Sequence, residues 1–72
     1  IMNKYERDLK DLVDDQEILM LQIEQCREDM DDANTKHTRD YYKRELNRLY
    51  EDLYDSCLDI RILAYELMDQ KV

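Results

Sequence analysis

Not one of the 72 residues is glycine or proline. Glycine supplies the positive φ of tight turns and proline their fixed φ, so a chain lacking both is poorly equipped for strand hairpins and loop-rich folds. Charged residues make up 42% of the chain, and the apolar share is mostly Leu, Ile, Met and Tyr. That is the make-up of a long helix buried along one stripe. The fold class expected is all-α: a long amphipathic helix forming a coiled coil.

The spacing of apolar residues supplies the stripe. Met2, Tyr5, Leu9, Leu12, Gln16, Leu19, Ile23, Cys26, Met30 and Ala33 follow one another in steps of three and four, which keeps them on one side of a helix. Gln16 is the one polar member. With Leu9 at heptad position a and Leu12 at d, Val13 and Met20 fall at e and widen the stripe, while Ile18 and Leu21 point away from it. A second stripe runs through Tyr42, Leu46, Leu49, Leu53, Ser56, Ile60, Leu63 and Leu67, in a frame slipped by two residues from the first. No single stutter or stammer produces that slip. Residues 31–40 are therefore a register discontinuity or hinge between a first heptad block, 1–30, and a second, wider block, 41–72. Its weak helix formers include Asp31, Asp32, Asn34, Thr35, His37 and Thr38.

Two architectures satisfy this pattern. One is a single rod, about 108 Å long at 1.5 Å per residue. The other is an antiparallel helical hairpin folded back near residues 33–38. A fold-back normally recruits Gly, or a capping residue followed three positions later by Glu or Gln, and the hinge offers neither. The continuous rod is the expectation. With the stripe running to both ends and no cap legible there, the chain reads as a coiled-coil segment of a larger protein.

The second block is too apolar for a two-stranded seam alone. Around Leu46, Leu49, Tyr50, Leu53, Cys57, Ile60, Leu63, Ala64, Leu67 and Met68, a broad face extends sideways through Tyr54, Leu58, Tyr65 and Val72, with Ile62 beyond. Arg48, Asp55, Asp59 and Glu66 mark the wet side. An arc of more than half the circumference needs further cover.

Charge narrows the classes of function. The net charge of −8 disfavours nucleic acid, which requires a basic surface. It is unevenly spread: −7 over residues 1–35, +3 over 36–48 and −4 over 49–72. The longest apolar run, Ile18 to Leu21, is too short to insert in a membrane, and Ile1-Met2-Asn3 does not open a signal peptide. Cys26 and Cys57 match no metal-ligand spacing, so a reducing, cytoplasmic setting is expected. Cys26 serves as a small hydrophobe in the seam, although a parallel dimer would bring it near its mate. His37 with Asp40 makes too small a set for a metal. Asp29, Asp31 and Asp32 lack the turn of a calcium loop. Nothing calls for a cofactor or a catalytic residue, and an enzyme is not expected.

What the sequence does call for is association. The oligomer interface expected comprises Leu9, Leu12, Leu19, Ile23, Cys26, Met30, Leu46, Leu49, Leu53, Ile60, Leu63 and Leu67, joining two copies in a homodimer. Six Tyr with no Phe or Trp suit boundary positions, where the ring is covered and the hydroxyl stays wet. Tyr41 and Tyr42 adjoin Arg39, Lys43 and Arg44, which permits cation–π contacts. Tyr54, Leu58, Arg61, Ile62 and Tyr65 form the expected partner-binding face, spaced for a partner helix. The expected function is a coiled-coil oligomerisation and interaction module of a cytoskeletal, motor or scaffold protein. The alternative is a regulatory antiparallel hairpin acting in cis, as an autoinhibitory element. The run from Leu58 to Tyr65 resembles the Leu-Asp-x-Glu-Ile-x-x-Tyr end of the intermediate-filament rod. Arg61 replaces the family's Glu, and Glu66-Leu67-Met68-Asp69 departs from its continuation, so no family is assigned.

Overall fold

A computed structural model describes residues 3–70 and shows an all-α fold, with 93% of the described residues helical. Helix α1 spans Lys4–Asp31 and helix α2 spans Lys36–Gln70; the two pack against each other as an antiparallel hairpin. The body measures 56 × 19 × 12 Å, one layer of two helices side by side. The continuous rod is thus corrected in favour of the fold-back. Met2, expected at the start of the first stripe, and Val72, expected at the side of the second block's face, lie outside the described residues.

The physical reason lies in the turn itself. Asp32 ends α1 in the right-handed region, donating its N–H to Glu28 O, and the Ala33 N–H bonds Met30 O. No described residue has a positive φ, so the turn needs no glycine. Thr35 then caps α2: its Oγ1 accepts from the Thr38 N–H at 3.2 Å and donates to Thr38 Oγ1 at 2.9 Å. Thr38 takes the place that Glu or Gln holds in a capping box, and that substitution hides the cap from a search for acidic or amide partners. Arg39 reaches back to Ala33 O at 3.4 Å and ties the turn to the helix it starts.

The far end is capped as well. Asn3 Oδ1 accepts from the Glu6 N–H at 2.9 Å, which corrects the reading that no cap is present there. The three ion pairs among the described residues, Lys10–Asp14, Glu45–Arg48 and Arg48–Asp52, each lie within one helix. Pairing between the helices therefore rests on the seam.

Candidate interaction surfaces

Folding back closes the two stripes on each other. Ile23, Cys26, Leu46 and Leu49 form the buried core, with Leu19, Met30, Tyr42 and Leu53 packed against it. Cys26 Sγ donates to Tyr42 O at 3.4 Å, which fits its reading as a small seam residue. Burial pushes the Cys26 thiol up from its usual range, with Glu45 and Asp29 adding to the shift. Leu9, Leu12, Ile60, Leu63 and Leu67 are half-buried. All twelve residues expected at an interface between chains thus lie along the seam within one chain.

The antiparallel register is fixed at a polar layer. Gln16 Nε2 donates to Cys57 Sγ at 3.0 Å, which sets Gln16 beside the Ser56–Cys57 step. Gln16 and Ser56 are the two polar members of their stripes, and the Gln16–Cys57 bond sets them at about the same level of the seam. Ser56 is buried, and its Oγ has no hydrogen-bond partner among the described residues. Counting outward by heptads from this layer pairs Leu19 with Leu53 on the turn side and Leu12 with Ile60 on the other. A slip by one heptad would set both polar groups against leucines or isoleucine, so this layer favours one register over its neighbours.

Antiparallel pairing also sorts the positions beside the seam, because e faces e and g faces g. One flank collects Asp8, Asp15, Gln22 and Asp29 from α1 with Glu45, Asp52, Asp59 and Glu66 from α2. Two open grooves run along it. In the first, of about 410 Å³, Asp8, Asp11, Asp15 and Asp59 rim Leu12, Ile62 and Leu63. In the second, Gln22, Asp29 and Glu45 lie around Cys26 and Leu49. The opposite flank carries Glu6, Val13, Met20 and Arg27 from α1 and Lys43, Tyr50, Cys57 and Ala64 from α2. Val13, Met20, Tyr50 and Cys57 are exposed there.

The outer face of α2 is a third surface. Tyr54 keeps 66% of its surface, Tyr65 60% and Ile62 56%; Arg61 is exposed and Leu58 half-buried. Helix α1 leaves all three large side chains exposed, with Ile62 at the edge of the face where it also lines the first groove. On α1, Ile18 and Leu21 are likewise exposed.

Compared with known families, curated proteins and solved structures, the chain matches none. The surfaces must therefore be interpreted from their chemistry. No helix among the described residues is long and apolar enough to cross a membrane. His37 is exposed and Asp40 half-buried on the first turns of α2, and no group of three or more metal-ligating side chains is assembled among the described residues. Tyr41 and Tyr42 meet edge to face at 5.2 Å, their nearest aromatic contact being each other.

Spacing places Val13 and Met20 beside the α1 stripe and Tyr50 and Cys57 on the broad face of the second block, without joining the two pairs in one surface. Val13 and Met20 were legible as positions that widen the α1 stripe. Their alignment with Tyr50 and Cys57 requires knowing that the second stripe runs antiparallel to the first.

Proposed function

We propose that the chain is a non-enzymatic protein–protein interaction module, a helical hairpin that presents the outer face of α2 to a partner helix. The observation supporting this reading is the apolar character of that face after folding is complete. Tyr54, Leu58, Ile62 and Tyr65 follow at helical spacing, with Arg61 able to reach a partner carboxylate while its stem lies on the rings. Covering the exposed half of a side chain such as Ile62 contributes about 1 kcal/mol. The face is not needed for the fold, since the seam is closed without it.

A second reading is favoured by the fold-back itself: the same face covers a neighbouring segment of its own polypeptide and acts as a regulatory element in cis. A photo-crosslinking residue placed at Ile62 tests both. Adducts with another protein, lost in a Tyr54→Ala, Tyr65→Ala double variant of unchanged melting temperature, support docking in trans. Adducts within one polypeptide support the cis reading. A variant that melts markedly earlier would make the face part of the core and end both.

A further inference from the structure

The hairpin is one helix thick: four apolar seam residues and Ser56 are buried, and among the described residues the rest of the seam is half-buried and no large side chain is fully enclosed. A second layer would complete the core. The flank bearing Val13, Met20, Tyr50 and Cys57 is where such a layer fits, because the opposite flank is lined mainly by carboxylates, with Arg48 paired to Glu45 and Asp52 among them.

We propose that a second copy of this hairpin packs face to face on the flank of Val13, Met20, Tyr50 and Cys57, with the two turns at opposite ends, forming an antiparallel four-helix bundle. This rests on the interaction reading above but uses a different face, so the two fail separately. A face that pairs with its own copy must be complementary to itself under a twofold rotation. This one is. Its centre is apolar, its turn-proximal end is basic through Arg27 and Lys43, and its open end carries Glu6.

A twofold axis crossing the hairpin between Val13 and Met20 sets Val13 of one copy over Met20 of the other; on α2 it passes level with Asp55 and Ser56, so Cys57 of one copy falls between Cys57 and Tyr50 of the other. It also sets Glu6 level with Arg27 of the second α1 at both ends. The parallel alternative places Arg27 over the second Lys43, joining like charges. Charge therefore selects the antiparallel arrangement. Tyr65 and Ile62 on the outer face of α2 stay uncovered in this bundle.

Sedimentation equilibrium of the whole chain tests the proposal, with helicity followed by circular dichroism. The expected mass is twice 8.9 kDa. Met20→Glu and Tyr50→Glu should each weaken the dimer at least about tenfold, because a charge enters the apolar centre. Tyr65→Glu on the exposed outer face should leave the dissociation constant unchanged. Since Met20→Glu could also unfold the hairpin, rim charge gives a second measurement. Arg27→Glu should weaken the dimer about threefold, and adding Glu6→Arg should restore it. A chain that stays monomeric at millimolar concentration overturns the proposal. So does a dimer strengthened by Arg27→Glu, which would be parallel, or one lost through Tyr65→Glu, which would use the outer face.

Discussion

On the turn side of Gln16 and Ser56 the seam holds all four buried apolar residues, Ile23, Cys26, Leu46 and Leu49. On the other side the same spacing continues through Leu12, Leu9, Ile60, Leu63 and Leu67, and each of these is only half-buried. Heptad spacing is equal in the two halves, so it determines which side chains face the partner helix and not how tightly they are covered. Two physical differences account for the rest. Near the turn, a short connection and the Arg39–Ala33 and Cys26–Tyr42 bonds hold the helices together. Toward the open end, Asp8, Asp11 and Asp15 face Asp59 across a groove, and like charges oppose closure.

The largest effect expected from this contrast is at its extremes. Leu49→Asp should cost several kcal/mol and abolish the helical signal at 25 °C, because the charge is buried without a partner. Leu63→Asp, beside the open groove, should cost about half as much in urea denaturation. Equal losses would break the distinction between the halves. Truncation sharpens it: Ile23→Ala should cost about 2–4 kcal/mol, whereas Leu12→Ala should fall below that range.

The caps come next. Thr35→Ala should cost about 1 kcal/mol of global stability, since its hydroxyl anchors the start of α2 at the turn. Asn3→Ala should instead raise amide hydrogen exchange over the first turns of α1 only, with a smaller shift in melting temperature. Exchange that rises equally along the whole seam would contradict a loose open end.

Smaller still is the polar layer that separates the halves. Ser56→Ala removes a buried hydroxyl lacking a partner, so stability should stay within about 0.5 kcal/mol or rise. A loss above about 1.5 kcal/mol would show that the hydroxyl is bonded. Thiol chemistry compares the same two regions without changing stability. Cys57, exposed, should be alkylated well before Cys26. Burial raises the Cys26 pKa, so its thiolate is scarcer at a given pH and its alkylation should climb only at higher pH than an ordinary thiol's. Equal rates at neutral pH would mean that the turn-side half opens as readily as the other.

The sequence by itself determined the helices and the faces they bury. Absence of glycine and proline, steps of three and four, and the polar pair Gln16 and Ser56 are all local properties of the chain, and a helix places its residues by local geometry. The break was also written there, in the two-residue slip between frames: two helices that run in opposite directions need share no frame. What spacing left undecided was whether residues 31–40 bend or reverse. That depended on Thr38 standing in for an acidic capping partner and on a turn made without positive φ, neither of which composition announces. The tertiary structure decided which stripe pairs with which, and with that the character of the flanks. Positions one residue before the seam in α1 and α2 come together as an acidic edge, and those one residue after it as an apolar one. Side chains far apart in sequence share a surface only once the chain has reversed, because the reversal sets e against e and g against g.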